Sequence, residues 1–300
     1  MQVVGTGDLS SGLRRPSGMR DRIDRWMTGE GTVRILTATS TAMAQEAARV
    51  AGSAPAVSEA LGDLLTGVAL LELAQSPVER VQCSFDHDGS AGQLVADVWP
   101  GPEVRGRVKN PQASAEPLIG TDGELRISRH GFRGGQVYQS RLPVSGGSIA
   151  GALQQFCLES EQTLTLFSLA TVTEADGRIS RAGGMIVQAM PDCEPEHLAG
   201  VTACLEQADF AALVRAGEAP ADATMALLDR MDLHVLGHDP LLYQCRCSLE
   251  RAVGAVRTLS PEELEEVRGG RVEEVVCDFC SHQYLVGQPE LDATAPAAEK

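Results

Sequence analysis

Four cysteines in two tight pairs constrain this chain more than any other feature. Cys245 and Cys247 have one residue between them in "QCRCSLERAV", Cys277 and Cys280 have two in "VVCDFCSHQYL", and 29 residues separate the pairs. Such a layout serves a metal site, two disulfides, or a device that passes between those states. A zinc ion takes four soft ligands at tetrahedral corners, and a C-x-x-C turn presents two sulfurs from one knuckle. C-x-C can supply the other half, because residues i and i+2 of an extended strand project to the same face. We therefore expect Cys245, Cys247, Cys277 and Cys280 to form one zinc site. His282, beside the knuckle, is expected behind the ligands or on the surface, since four sulfurs already complete the set. Four thiolates on Zn²⁺ leave a net charge of about −2, which Arg246, Arg251 and Arg257 are placed in sequence to offset.

The remainder of the sequence points to a soluble cytosolic protein. Its start, "MQVVGTGDLSSGLRRPSG", lacks the basic and apolar order of a signal peptide, and no apolar run is long enough for a membrane helix. In the cytosol disulfides are normally reduced, so a cysteine cluster there binds metal or works in redox rather than stapling the fold. The net charge is −16, and residues 192–300 hold 21 acidic side chains against 8 basic ones, −13 of the total. That balance argues against a nucleic-acid partner, which needs clustered Lys and Arg. Lysine occurs only at Lys109 and Lys300, and neither follows a phosphate-cradling glycine loop, so an ATP-binding P-loop is excluded.

Three hundred residues with 43% hydrophobic content can bury a substantial core. "RILTAT" (34–39) reads as a strand and residues 40–75 as two helices parted at Pro55, the second apolar on more than one face. Residues 78–142 alternate with a period of two and predict an antiparallel sheet, followed by a helix at 148–160 and a strand pair on either side of "EADGR". Cys83 and Cys157 fall within these elements, where a free cysteine behaves as a small buried hydrophobe. After Pro191 the strand signals stop, and short apolar helical segments run to about residue 243. They are too short to be stable in water and need a surface to lie on.

A last unit follows at 244–288. Ser260, Pro261 and Glu263 predict a capped helix, and "VEEVVC" and "HQYLV" predict two strands joined by the Cys277–Cys280 turn. The tail, 289–300, reads as disordered. The fold class expected is α+β: a mixed core (1–191), a helical linker (192–243) and a small zinc-binding domain (244–288). A unit of that size cannot bury enough surface to fold alone, whereas structural zinc supplies about 10–16 kcal/mol of apparent free energy. Zinc also holds its sulfurs as thiolates, the form that reacts with oxidants. Each pair is close enough in sequence for its own disulfide, and oxidation would then remove the ligands.

The C-x-C of "CRCSLER", the "LSPEEL" helix start and the C-x-x-C of "CDFCSHQYLV", with "SEQ" (160–162) and "AGGMIVQAMP" (182–191) upstream in the same order, resemble the 33 kDa chaperonin family, redox-regulated holdases of bacteria. The resemblance implies that the reduced, zinc-bound form is inactive. It implies that oxidants join Cys245 to Cys247 and Cys277 to Cys280, that zinc leaves and the linker unfolds, and that the protein, as a homodimer, holds unfolding clients without ATP. It gives no role to Cys193 and Cys204, expected as inert thiols, and implies no enzyme activity. The alternative is a static zinc-ribbon module that binds a protein partner. A thiol-disulfide oxidoreductase is disfavoured, because "CDFC" does not follow a strand and open a helix.

Overall fold

The apolar helix is the centre of the molecule. In the computed structural model, which describes residues 21–75, 80–131, 135–191, 193–196, 198–199, 209–228 and 232–293, α1 (Thr41–Ala51) and α2 (Pro55–Ala74) meet at a left-handed Gly52 and the short link to Pro55. Fifteen of the twenty residues of α2 are buried. A helix apolar all round has to be enclosed on all sides, and α2 packs against strands of two sheets.

The first sheet contains β1 (Arg22–Thr28), β2 (Val33–Thr39), β8 (Thr165–Thr173), β9 (Ile179–Ala189) and β10 (Leu233–Pro240) in the antiparallel order β10-β1-β2-β9-β8. The second has β3 (Arg80–His87), β4 (Leu94–Trp99), β5 (Glu103–Val108), β6 (Asp122–His130), β7 (Val137–Ser145) and β11 (Leu242–Tyr243) in the order β11-β5-β4-β3-β6-β7, with β11 parallel to β5. Alternation along β3 turns Val81, Cys83 and Phe85 inward to the shared core. The helix α3 (Ile149–Glu159), capped by the Ser148 hydroxyl, adds Leu153 and Phe156 to it. Cys83 and Cys157 are buried there as expected, and burial pushes both thiols up to about 12.

The outer face of the first sheet is covered by the segment after Pro191. Within it α4 (Phe210–Ala216) and α5 (Pro220–Leu228) place Phe210, Val214, Leu227 and Leu228 over Val33, Ile35, Met185 and Val187. The Gly183–Gly184 pair makes this double packing possible. A Cβ on Gly184 would lie 2.9 Å from Thr66 Cγ2 of α2, and one on Gly183 would lie 2.7 Å from Pro220 Cβ of the segment, so each glycine opens one face of β9 to close approach.

Two expectations are corrected. The segment after Pro191 is not helical throughout, because β10 pairs along most of its length with β1. As the edge strand of its sheet it leaves Val235 and Leu236 exposed, so it lacks the buried alternation that marks an inner strand. The tail is helical at its start: α8 (Gln288–Ala293) buries Leu291 against the final unit, and residues 294–300 lie outside the described residues. No helix among the described residues is long and apolar enough to cross a membrane.

Candidate metal centre

The C-terminal unit is a β-hairpin with three short helices, α8 among them, and a small core. The helix α6 (Leu249–Val256) starts at Ser248, whose hydroxyl accepts from Arg251 N–H, and α7 (Pro261–Arg268) starts in the expected capping box, with Ser260 and Glu263 satisfying each other's backbone N–H. The strands β12 (Glu273–Val276) and β13 (Gln283–Val286) pair in register from Glu273–Val286 to Val276–Gln283. Ala252, Val253, Val256, Val267, Val286 and Leu291 are buried in it, with Leu259, Leu264, Val275 and Tyr284 half-buried against them. Six small or medium side chains bury little apolar surface, so the unit needs a further source of order.

The four cysteines converge at one end of this unit. Cys245 and Cys247 lie in the extended segment after β11, anchored where Gln244 N–H donates to Val104 O at 2.8 Å. Cys277 and Cys280 lie in the hairpin turn, closed by Cys277 N–H to His282 O at 2.9 Å and by Ser281 N–H to Cys277 O at 2.8 Å. All four sulfurs lie within 4.8 Å of one another, with Cys245 to Cys277 at 3.6 Å and Cys247 to Cys280 at 3.4 Å. Sulfurs each about 2.3 Å from one zinc ion stand about 3.8 Å apart at tetrahedral corners, whereas a disulfide needs about 2.05 Å. The four are free thiols and their spacing matches the tetrahedron, so together they can hold one metal ion.

Electrostatics favours a cation there. Burial pushes the Cys280 thiol up, the His282 backbone offsets part of this, and the sulfurs of Cys247, Cys245 and Cys277 push it further. Four sulfurs so close cannot all ionise without a positive charge among them. The Tyr284 hydroxyl donates to Cys247 Sγ at 3.2 Å, the kind of outer hydrogen bond that orients a ligand. His282 is exposed, edge-on to the Tyr284 ring at 4.5 Å, and outside the sulfur cluster.

The expected counter-charges are corrected. Arg246 turns away to pair with Glu103, Arg257 donates to Leu291 O, and Arg251 is exposed. The guanidinium that points at a sulfur is that of Arg105 on β5, with Nη1 3.9 Å from Cys245 Sγ. It lies 140 residues upstream, and no local pattern connects it with the cysteines. Cys193 is half-buried against the cluster beneath α4 and α5, and Cys204 lies outside the described residues.

Comparison with known proteins agrees with this arrangement. A family model described as Hsp33 protein matches residues 21–287. A 33 kDa chaperonin of Thermus thermophilus is 34% identical over 296 residues, covering 90% of this chain and 85% of that one. The 33 kDa chaperonin of Syntrophotalea carbinolica is 30% identical over 289 residues, covering 92% and 99%. Among solved structures, the 33 kDa chaperonin (heat shock protein 33 homolog) of Thermotoga maritima superposes with a TM-score of 0.79 at 25% identity, covering 92% of this chain and 97% of that one.

Proposed function

The chain belongs to the Hsp33 protein family, and from that premise we propose that it is an ATP-independent chaperone of the cytoplasm that binds unfolding proteins once its cysteines are oxidised. The observation that carries this reading is the convergence of Cys245, Cys247, Cys277 and Cys280 at the end of a segment that also covers an apolar sheet face. Zinc, the metal this reading assigns to the site, would hold the four sulfurs as thiolates and cross-link a unit whose own core is small.

Oxidation by hydrogen peroxide balances within each pair. One sulfur attacks the peroxide oxygen and becomes a sulfenic acid as hydroxide leaves, and its neighbour's thiolate displaces a second hydroxide to form the disulfide. Two peroxides thus give Cys245–Cys247 and Cys277–Cys280 and leave no thiolate to hold a cation. Joining sulfurs within pairs removes the tie between the C-x-C segment and the hairpin. Joining the nearest sulfurs across pairs would preserve it.

The order lost at the cysteines is positioned to reach the covered sheet. Cys245 directly follows the segment that pairs as β11 with β5 and as β10 with β1. The helices α4 and α5 have seven and nine residues and depend on the surface beneath them. Their release exposes Val33, Ile35, Met185 and Val187 on the core and Phe210, Leu227 and Leu228 on the segment, a contiguous apolar surface suited to a client's exposed hydrophobic stretches. A homodimer of the oxidised form is part of the same reading. To test it, the reduced zinc-loaded protein is treated with peroxide at elevated temperature and added to a thermally unfolding client. The expected result is suppression of aggregation only after oxidation. Equal behaviour before and after oxidation supports a static zinc module instead.

A further inference from the structure

A charge and ring network on the outer face of the second sheet is not used by the chaperone reading. Asp97 on β4 is fully buried and held by two arginines, Arg80 (2.5 and 2.8 Å) and Arg105 (3.0 and 2.8 Å). Trp99, two residues along the same strand and so on the same face, is 9% exposed. Three guanidiniums lie over its ring: Arg246 at 4.7 Å, Arg105 at 4.9 Å and Arg80 at 5.2 Å. The Arg105 guanidinium also lies 3.8 Å from the ring of Phe279, while its Nη1 points at Cys245 Sγ. Arg246 reaches from the C-terminal unit to Glu103, the cross-strand neighbour of Trp99.

The two sides of this contact differ in what holds them. Arg80, Asp97, Trp99 and Arg105 belong to the core, and the buried Asp97 fixes both arginines whether or not anything lies against them. The groups they meet are Cys245, Arg246 and Phe279, which are either a ligand or sit between two ligands. Their positions are set by where the four sulfurs converge. A guanidinium is attracted to a ring face within about 6 Å, so both contacts hold only while the ring of Phe279 and the Arg246 side chain are kept in place.

We propose that Trp99 and Arg105 form a docking seat for the metal-binding unit, so that the unit is held on the second sheet only while its sulfurs converge on a metal ion. Arg105 is then a positioning residue, anchored by Asp97 on the core and aimed at Phe279 and Cys245 on the unit. Loss of the metal removes what fixes Phe279 inside the Cys277–Cys280 turn and Cys245 beside it, the two groups that Arg105 meets. The unit leaves, and the β11–β5 pairing beside it is freed. The inference rests on metal binding by the four cysteines and not on chaperone activity.

Trp99 itself reports the contact. The chain has two tryptophans, so a full-length Trp26→Phe protein leaves Trp99 as the sole emitter. With zinc content measured on the same samples, its emission and its quenching by acrylamide are compared before and after reduced protein is stripped of zinc by a chelator. The expected result is a red shift and a loss of protection on stripping, reversed when zinc is returned. Phe279→Leu in that background retains all four cysteines and is expected to bind zinc at full stoichiometry yet expose Trp99 in the loaded state. Arg105→Gln is expected to weaken zinc retention against a competing chelator by about 10-fold or more, as loss of a group behind metal ligands does. Trp99 equally shielded with and without zinc, or equally shielded in loaded Phe279→Leu, overturns the proposal. A protein that binds no zinc at all overturns it together with the metal site beneath it, and the zinc assay tells these failures apart.

Discussion

Phe210 lies against the backbone of Gly183, where a methyl group would stand 3.1 Å from its Cζ. The first glycine of "AGGM" is thus the floor on which α4 rests, and the second, Gly184, admits α2 from the opposite side. An alanine at Gly183 also meets Pro220 Cβ at 2.7 Å and Ala38 O at 2.6 Å. Gly183→Ala is therefore expected to cost about 1–3 kcal/mol by overpacking, with the short segment helices giving way first. The reduced, zinc-loaded variant should bind a hydrophobic dye and suppress aggregation without oxidant. Gly184→Ala should lower the unfolding midpoint of the core by a similar amount, since its methyl would stand 2.7 Å from Leu169 Cδ2, 2.9 Å from Thr66 Cγ2 and 3.0 Å from Leu70 Cδ1. Dye binding and urea unfolding of the two variants separate these outcomes.

The cysteines divide by environment. Cys83 and Cys157 are buried, with thiols pushed up to about 12, so they carry almost no thiolate at pH 8 and should not react with a thiol reagent until the protein unfolds. Cys245, Cys247, Cys277 and Cys280 should react once the metal is removed. Serine at any one of the four should abolish stoichiometric zinc and make residues 244–293 sensitive to protease, because the six-residue core cannot replace the metal. Alanine at Cys83 should leave zinc content unchanged. Thiol counting with and without chelator, beside protease mapping, checks both halves.

Asp63 gives the core a pH dependence. Burial raises its carboxyl from 3.8 to about 7, offset only in part by Thr171 and by Arg215 of α4, and its Oδ1 has no hydrogen-bond partner. The group lines a cavity of about 460 Å³ that Arg215 and Asp209 also border. A carboxyl raised in the folded state favours folding fully below its unfolded value, and that contribution is lost as pH rises from about 4 to about 7. Asp63→Asn, which cannot ionise, should match the parent near pH 4 and exceed it at pH 8 by on the order of 1–4 kcal/mol, a tenfold change in proton affinity being worth about 1.4 kcal/mol. Glu72, raised to about 7 by burial and then by Asp239, acts in the same direction. Urea midpoints across that range test this, and a gap that does not change with pH contradicts it.

Elements whose burial follows a local period were legible in the sequence. The strand at 34–39, the buried helix after Pro55, the strand pair around "EADGR" and the capped helix at Pro261 all carry their own pattern or cap. The strands β1 and β10 do not. "RIDRWMT" buries only Ile23 and Thr28 and is held between β2 and β10, while "LHVLGHDP" lies on the sheet edge and is defined by its pairing with β1 across about 200 residues of chain. The cysteine site was legible for the same reason as the capped helix, because its spacing is a local signature. Its counter-charge was not, since Arg105 is placed by the β4–β5 pairing and by Asp97 rather than by proximity in sequence.

The central claim is that the four cysteines form one metal site that opens by disulfide formation within each pair. The most direct test follows zinc release and disulfide connectivity in the same reduced, zinc-loaded sample during peroxide treatment, with a chromogenic chelator and peptide mapping by mass spectrometry. The expected result is zinc leaving as Cys245–Cys247 and Cys277–Cys280 form. Zinc retained after oxidation, or bridges between the neighbouring sulfurs of Cys245 and Cys277 and of Cys247 and Cys280, would contradict it.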